Sequence, residues 1–391
     1  MRKIGVGERR ARLARRHHLV QEARLDDPVE IAGDLVGLHA SDPASVYMAA
    51  AARMRRPALE PVEHALYEAR TLLRLLGMRR TMFVLPLDLA AIVQAACAGA
   101  VAARQRRRLE RFIEDAGLHD DAAAHVREIE QATLAALEAR GEATGAELSR
   151  EVPALRQEIL IGQGTKWEGV QRLTTWVLVL LGAEGRIVRG RPRGSWISSQ
   201  YRWSPLESWL PGGLEACDVE TAQAELVRRW LASYGPATLA DLAWWTGWSA
   251  GVTKRALAAL DAAEVDLDGE PGLVLAGDLE PVAVPEPWVA LLPGLDPTIM
   301  GWKRRAWYLG PHGPALFDSA GNAGPTVWCD GRIVGGWGQP ESGEVVFRLL
   351  EDVGAEARAA VEAEAERLET WLGGVRVSPR FGAPLTRELS A

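Results

Sequence analysis

The chain has 391 residues, of which 48% are hydrophobic, and a formal net charge of −7 at pH 7. This length predicts roughly two to four domains with apolar cores, and the net charge excludes a uniformly basic nucleic-acid binder. The charge is uneven, because residues 1–108 hold 19 Lys and Arg against 11 Asp and Glu, whereas residues 341–371 hold 9 acids and 3 bases. Such asymmetry fits either an electrostatically steered polyanion binder or two solvated helical faces.

The cysteines and histidines form no ligand pattern in the sequence. No CxxC or HxH pair occurs, and the three cysteines are isolated from one another: Cys97, Cys217 and Cys329. A disulfide framework and a zinc site are therefore not favoured, and we expect no metal and no cofactor. No apolar segment follows the Arg-rich N-terminus, and the most apolar window, "LAAIVQAACAGAVAA" from Leu89, is short and contains Gln94. We expect a cytoplasmic protein without a membrane span.

The first part of the chain predicts three helices and a β-prone segment. The stretch "DPVEIAGDLVGLHASDPASVYMAAAARM" has helical spacing on both sides of Ser41–Pro43, where the proline ends the first helix. A further helix is predicted to end at Gly77, and "MRRTMFVLP" after it is β-prone.

A second stretch repeats this plan. "EIEQATLAALEARGEATGAELSREV" predicts a helix, a turn and a helix. "TKWEGVQRLTTWVLVLLGAEG" then predicts a helix with one apolar face, made by Val170, Leu173, Val177 and Leu180. "RIVRGRPRGSWISSQYRW" alternates like a hairpin.

A third stretch repeats the plan most clearly. A helix from Leu226 to Tyr234 precedes "ATLADLAWWTG", in which Thr238 is the predicted N-cap and Asp241 stands at the third helical position. "SAGVTKRALAAL" predicts the next helix, and two strands follow. Three tryptophans of this stretch are expected to pack in its core rather than stack on DNA: Trp244, Trp245 and Trp248.

A helix, a helix–turn–helix and a two-stranded wing make up a winged helix. A Pro-rich linker, "LEPVAVPEP", then leads into a β-rich region with a DG turn and the acidic helix "AEARAAVEAEAERLETWLGG". We therefore predict an α+β, mainly α fold. Three tandem winged-helix domains, residues 1–118, 119–212 and 213–283, are followed by a β-rich, barrel-like domain, residues 284–391.

Five segments resemble the winged-helix DNA-binding family that contains the AlkZ-type DNA glycosylases: "LVGLHASDPASVY", "GMRRTMFVLP", "RGRPRGSWISSQYRW", "LLPGLDPTIMGWK" and "PTVWCDGRIVGGWGQ". They run in the family's order over most of the chain. The resemblance implies tandem winged helices around a concave DNA-binding surface. It also implies a monofunctional, metal-free enzyme that excises alkylated purines, including bulky and crosslinked N7-alkylguanines, from DNA.

The resemblance further implies a catalytic Gln-Φ-Gln motif, where Φ is apolar, just before a DP pair. The matching positions here are His39, Ala40 and Ser41, followed by Asp42 and Pro43. Both polar positions of the motif thus depart from the family's usual residues. Asp296, in another of the five segments, is interpreted as a structural cap or turn residue.

His39 and Ser41 are the candidate catalytic residues. An N7-alkylated guanine is cationic and leaves as a neutral base, so the enzyme has chiefly to stabilise an oxocarbenium-like sugar and hold a water molecule against C1′. A neutral histidine can accept a proton from that water. In an extended segment Ser41 points to the same side as His39. In the alternative interpretation His39 caps a helix or binds a buried carbonyl, and Asp42 is more simply the N-cap of the next helix.

The candidate DNA contacts lie mainly on the predicted hairpin, whose arginines are spaced without an intervening acid and are followed by neutral hydrogen-bond donors. We assign seven residues to DNA binding: Arg80, Lys166, Arg189, Arg191, Arg193, Ser198 and Gln200. Of the pair Arg79 and Arg80, one is expected to face DNA and the other solvent, and we favour Arg80 for DNA. A solvated charged hairpin is the alternative.

The expected partner is double-stranded DNA with alkylated bases, bound at the nucleoid by a monomer without a metal. Two other functions stay open. One is a non-catalytic DNA-binding regulator or lesion sensor that has lost the glutamines, for which mutation of His39 would leave binding intact. The other is a protein that sequesters a small genotoxic molecule, whose affinity would not fall with salt as DNA binding does.

Overall fold

The computed structural model describes residues 1–165 and 168–391, and the fold is mixed α+β, 47% helical and 18% strand. Lys166, a predicted DNA contact, lies outside the described residues. The α-helices are α1 Val6–Arg16, α2 Pro28–Asp34, α3 Pro43–Ala51, α4 Glu60–Glu63, α5 Leu87–Val93, α6 Gly99–Asp115, α7 Ala122–Arg140, α8 Gly145–Glu151, α9 Leu173–Ala183, α10 Leu206–Trp209, α11 Val219–Tyr234, α12 Leu239–Thr246, α13 Ala250–Ala258, α14 Ala306–Leu309, α15 Gly313–Leu316, α16 Ala355–Leu372 and α17 Pro384–Leu389.

The strands form several small sheets. They are β1 Arg2–Lys3, β2 Leu38–His39, β3 Leu72–Leu76, β4 Met82–Pro86, β5 Ala143–Thr144, β6 Glu158–Ile161, β7 Gly169–Arg172, β8 Ile187–Pro192, β9 Tyr201–Pro205, β10 Ala262–Leu267, β11 Glu270–Leu275, β12 Val289–Leu292, β13 Thr326–Cys329, β14 Arg332–Gly338 and β15 Val346–Leu349. The strand orders are β1-β10-β11, β2-β4-β3, β5-β9-β8, β6-β7 and β12-β13-β14-β15. Strand β1 runs parallel to β10, so the start of the chain joins the sheet of the third predicted unit.

Helices α2 and α3 flank the segment that carries the candidate catalytic residues. Each begins with an aspartate N-cap followed by a proline, and the carboxylates of Asp27 and Asp42 accept the backbone N–H groups of Val29 and Ala44. Helix α3 therefore begins at Pro43, and the predicted capping role of Asp42 is confirmed. Strand β2 lies between the two helices and pairs with β4.

The segment before Gly77 is a strand and not the predicted end of a helix. Leu72–Leu76 pairs along its whole length with β4, and all of its residues are buried. A short run of mostly apolar residues has no period that separates a buried strand from a buried helix. The sequence pattern therefore favoured the wrong element, and pairing with β4 determined the structure.

The second unit differs from its prediction at Val170. This residue lies on β7, which pairs with β6, and its side chain is 63% exposed. Helix α9 begins only at Leu173, and it buries the other three residues of the predicted apolar face, Leu173, Val177 and Leu180. The predicted hairpin is confirmed as β8 and β9, and β5 pairs with the free side of β9.

The third unit follows its prediction closely. Thr238 caps α12, and Asp241 completes a capping box in which each side chain accepts the other residue's backbone N–H. Helix α13 and the strand pair β10–β11 follow in the predicted order. The expected packing of the tryptophans is confirmed as well, since Trp245 is 3% exposed and Trp244 and Trp248 pack against the same core.

The C-terminal sheet is a four-stranded antiparallel meander. Strands β12 and β15 stand at its two edges among the described residues, so the sheet is open where the sequence predicted a barrel-like domain. The acidic helix α16 packs next to the edge strand β12. Covering an edge strand with a helix hides backbone groups that would otherwise be free to pair with another chain.

The largest hydrophobic core joins parts of the chain that are distant in sequence. Tyr47, Trp230 and Trp328, which come from the first, the third and the C-terminal units, are all buried in it. A second core lies within residues 76–187. A buried ion pair with a 2.7 Å contact, Arg53 with Asp296, links the segment just after α3 to the C-terminal region. The predicted structural role of Asp296 is confirmed. Its carboxylate accepts the backbone N–H of Thr298 and is also the charge partner of Arg53.

One helical stretch, Leu87–Asp115, is long and apolar enough to cross a membrane by length and composition alone. It consists of α5 and α6 joined by a π-helical turn, Gln94–Ala98. More than half of its most apolar window is buried inside the protein, as in the core helix of a globular domain.

Candidate functional site

A strained turn between β3 and β4 carries two arginines whose side chains meet different surroundings. Arg79 and Arg80 both adopt left-handed backbone conformations, with φ of 53° and 62°, which non-glycine residues rarely occupy. Such strain persists where the surrounding structure fixes the residue, and it is concentrated at functional sites. Arg79, which was expected to face solvent, is only partly exposed, and its guanidinium lies over the ring of Trp244 at 3.9 Å. Arg80 is exposed and lines a cavity that also contains Ser41.

Three adjoining cavities of about 260, 500 and 610 Å³ share Arg189 and Trp203 and form a continuous groove beside the β8–β9 hairpin. No Asp or Glu lines any of them in the part of the chain that the structure describes. We call this surface the arginine groove, after the residues that line it: Arg74, Arg80, Arg150, Arg156, Arg172, Arg189, Arg193 and Arg380. A groove with guanidinium groups and without carboxylates attracts polyanions.

Ser41 lines the two smaller cavities of the groove, whereas His39 does not line the groove. His39 pairs with Phe83 across β2 and β4, and their rings are 5.7 Å apart. Because side chains alternate along a strand, the His39 side chain lies on the opposite face of the sheet from Arg74 and Met82, which line the same cavity as Ser41.

The expectation that Ser41 points to the same side as His39 is therefore wrong. Strand β2 ends at His39, and Asp42 already caps α3, so the alternation of a strand does not extend to Ser41.

His39 is held as a neutral side chain. It is 6% exposed, and its Nδ1 is buried without a hydrogen-bond partner among the described residues. Burial, with repulsion from Arg79 as a smaller cause, lowers the pKa of His39 to about 3. The imidazole thus carries no charge at neutral pH and is a weak base.

The segment after Ser41 is tied to the C-terminal part of the chain. Besides capping α3, the Asp42 carboxylate accepts the backbone N–H of Arg380 at 3.1 Å. The Arg380 guanidinium reaches the carbonyl of Ser41 at 3.5 Å, and Ser45 Oγ donates to the carbonyl of Gly294 at 2.7 Å. Burial raises the pKa of Asp42 despite these hydrogen bonds. Contacts from distant segments thus hold the position of Ser41.

The predicted DNA contacts of the hairpin separate into two groups. Arg189, Arg193 and Gln200 line the arginine groove. Arg191 lies outside it, where it forms ion pairs with Glu63 and Glu68 at 3.1 and 3.5 Å. Ser198 lies in the turn of the hairpin, where its Oγ accepts the N–H of Gln200, and it does not line the groove.

Several groove residues were missed by the sequence reasoning: Arg74, Tyr201, Arg380 and Phe381. Arg74 carried a usable signal, since it is the one charged residue in the buried run Leu72–Leu76. Arg380 and Phe381 carried none, because only the tertiary fold brings the end of the chain to Ser41.

One group of side chains outside the groove has metal-ligand chemistry. Atoms of His119, His125 and Glu128 lie within 4.8 Å of one another. However, the two imidazole rings are stacked face to face with only 7° between their planes, so their in-plane lone pairs do not converge on one point. His119 Nδ1 also accepts the N–H of Asp121, and His125 Nε2 bonds to Gln157. We assign no metal to this group.

The fold and the groove define an α+β protein with an arginine-lined surface that is suited to a polyanion. The solved structure of the Streptomyces sahachiroi DNA glycosylase AlkZ has the same fold, with a TM-score of 0.74 and 22% sequence identity over 97% of this chain and 99% of that one. The family model for AlkZ-like DNA glycosylases matches residues 32–371, so the chain belongs to that family. It is thus an enzyme that acts on N-glycosyl bonds of DNA. No curated protein matches the sequence.

Proposed function

We propose that this enzyme hydrolyses the N-glycosidic bond of alkylated purines of the N7-alkylguanine type in duplex DNA, and that it leaves the strand uncut. The observation that carries the proposal is the arginine groove, which passes Ser41 in a chain of the AlkZ-like family. Phosphate contacts by guanidinium groups position a duplex without reading its sequence. A neutral hydroxyl in such a groove is suited to hold water beside the sugar of the damaged nucleotide.

The chemistry needs little acid or base strength. Alkylation at N7 places a positive charge on the guanine, which therefore departs as a neutral base without protonation. What remains is to stabilise the developing positive charge on the sugar and to place a water molecule for attack at C1′. The Ser41 hydroxyl can hold that water, and the adjacent Asp42 carboxylate, where ionised, favours a nearby positive charge.

We assign the water-holding role to Ser41 and a supporting role to His39. A histidine whose pKa is about 3 cannot act as a strong general base near neutral pH, and its ring faces Phe83 on the other side of the sheet. A neutral imidazole can still accept a hydrogen bond, as glutamine does at the matching position of the family. In this proposal the His39 ring packs against Phe83 at the end of β2, from which Ser41 follows.

The DNA contacts in this proposal come from the groove, with Arg80, Arg189, Arg193 and Gln200 as its predicted members. We interpret the repeated arrangement of helices and paired strands as three tandem winged helices, bound to duplex DNA as a monomer without a metal. Each phosphate neutralised should lower log K by about 0.9 per log unit of salt concentration. The salt slope of binding therefore counts the phosphates that the groove engages.

A non-catalytic lesion sensor is the second candidate function. What favours it is the replacement of both glutamines of the catalytic motif by His39 and Ser41. Such a protein would bind damaged duplex with the same salt dependence but would release no base.

The test uses one duplex that carries a single N7-methylguanine, with alkaline cleavage to reveal abasic sites and anisotropy to follow binding. The proposal predicts base release by the purified protein and strand cleavage only after alkali. The proposal would be contradicted if the protein bound DNA in a salt-sensitive way but released no base from this duplex and none from a duplex with a bulkier N7 adduct. That result would favour the lesion sensor.

A further inference from the structure

Arg74 is a buried cation without a carboxylate partner in the described structure. Its side chain lies on β3 and is 4% exposed. One nitrogen donates to the hydroxyl of Tyr67, and its guanidinium lies over the ring of Tyr201 at 4.9 Å. The Nε is buried and has no hydrogen-bond partner among the described atoms.

Arg189 approaches the same tyrosine from β8. Its guanidinium is 5.5 Å from the centre of the Tyr201 ring and 4.9 Å from that of Trp203. Arg189 Nε and the Tyr201 hydroxyl are also buried and lack hydrogen-bond partners within residues 1–165 and 168–391. Three buried, unsatisfied donor groups thus belong to side chains that contact one another at the wall of the groove.

Arg74 differs in this respect from the two other arginines that are as deeply buried in the described residues. Arg53 is paired with Asp296, and Arg12 is paired with Glu8 and Asp278. Proteins bury charges almost only with partners, because a desolvated charge without one is costly. Burial lowers the pKa of Arg189 to about 10, with Tyr201 opposing and with Arg74 and Arg380 adding repulsion. The cluster thus lacks a counter-anion within the described residues.

We propose that Arg74, Arg189 and Tyr201 form a binding site for one phosphate of the DNA backbone, next to the damaged nucleotide. Guanidinium and phenol groups donate charge-assisted hydrogen bonds to phosphate oxygens, and guanidinium forks match them in shape. The identification of this anion as a DNA phosphate rests on the proposed function. The presence of an anion site rests on the buried donors alone.

The location of the site explains what the phosphate would do. Arg189 and Arg380 line both cavities that contain Ser41, so an anion held by Arg189 would share these cavities with the serine. The carboxylate of Asp42 does not fill the site, because its oxygens accept backbone N–H groups of Ala44 and Arg380. A phosphate fixed there sets the adjoining sugar in place against Ser41, and such positioning lowers the barrier to attack by water.

The test measures binding rather than excision, so it does not depend on the proposed reaction. A duplex carrying a non-hydrolysable 2′-fluoro analogue of N7-methylguanosine is prepared with a single neutral methylphosphonate at each backbone position in turn. A methylphosphonate at one position near the lesion should weaken binding by the wild-type protein roughly 10- to 100-fold, as expected for the loss of a hydrogen-bonded charge. Arg189→Gln and Tyr201→Phe should both reduce or remove this dependence at the same position.

The matched control is Arg193→Gln, which removes an exposed arginine of the groove. This variant should bind DNA more weakly, but the methylphosphonate at that one position should still weaken its binding further. Thermal unfolding of the free protein checks the fold, and Arg189→Gln should not lower Tm, because it removes a charge without a partner. If Arg189→Gln does lower Tm, Tyr201→Phe serves as the test variant instead, because it removes only a hydroxyl.

If every methylphosphonate has the same effect on Arg189→Gln and on wild type, the phosphate site is refuted even where base excision is observed. If one position shows the dependence while no base is released, the site stands and the proposed reaction fails.

Discussion

Ser41 and His39 stand two positions apart but meet different surroundings. Ser41 lines a groove of arginines, whereas His39 is buried against Phe83 with an unsatisfied Nδ1 in the described structure. The sequence could identify both residues, because the family motif marks their positions. It could not predict their orientation, which is set by the cap of α3 and by the contact of Asp42 with Arg380, 338 positions away.

His39 should make the protein less stable in acid. Its pKa is lowered from 6.5 to about 3 in the folded state, so the unfolded chain binds the proton first. The free energy of unfolding should therefore fall as the pH drops below 6.5, by at most about 1.4 kcal/mol per pH unit from this residue.

His39→Gln removes this contribution, and it should flatten the pH dependence of urea unfolding between pH 7.5 and pH 5. His18→Gln serves as a control for the loss of a histidine elsewhere in the chain. Identical slopes for His39→Gln and wild type would refute a depressed pKa at His39.

Among the helices and strands, the sequence predicted helix starts correctly where a capping side chain lies next to the helix. Asp42, Thr238 and Asp241 cap their helices as their spacing predicts. The predictions failed at Leu72–Leu76, a mostly apolar run that was assigned to a helix, and at Val170, which has helical spacing to Leu173 but lies on β7. In both places pairing with another strand, which local sequence does not encode, determined the structure.

The capping box of α12 should contribute measurably to stability. Thr238→Ala leaves the N–H of Asp241 without its side-chain acceptor, and we expect a loss of about 1 kcal/mol in the free energy of unfolding. Asp241→Ala should cost more, because Asp241 is fully buried and also accepts the backbone N–H of Arg304 at 2.7 Å.

Urea unfolding at pH 7 measures both variants of the α12 box. Thr144→Ala, in the partly exposed capping box of α8, is the matched control and should cost no more than Thr238→Ala. Equal stability of wild type and Asp241→Ala would contradict the account.

At the scale of the whole molecule, one core unites segments that the sequence assigned to separate units. The pair Arg53 and Asp296 links the first unit to the C-terminal region at its centre, with both side chains fully buried. The tandem plan remains a prediction, which rests on a local pattern that repeats along the sequence. The joined core and the arginine groove could not, because they arise from contacts between units.

Asp296→Asn should therefore destabilise the whole protein rather than one part of it. It leaves the Arg53 guanidinium buried without a counter-charge, and breaking such a pair costs about 3–5 kcal/mol. A single cooperative urea transition at lower midpoint is expected by both circular dichroism and tryptophan fluorescence. The exposed pair of Arg358 and Glu362 is the control, and Glu362→Gln should change stability by less than about 1 kcal/mol. Two separate transitions in Asp296→Asn would contradict the unity of the core.

We infer that Ser41, in the arginine groove, supports removal of an alkylated base. Single-turnover release of N7-methylguanine by wild type, Ser41→Ala and His39→Gln tests it most directly. We expect Ser41→Ala to lower the rate of base release about 100-fold, as the loss of a positioned polar group does, and to bind DNA with unchanged affinity. His39→Gln should stay within about tenfold of wild type, because glutamine also accepts a hydrogen bond in neutral form. Release at the wild-type rate by Ser41→Ala, together with its loss in His39→Gln, would contradict the account and assign the catalytic water to the buried histidine.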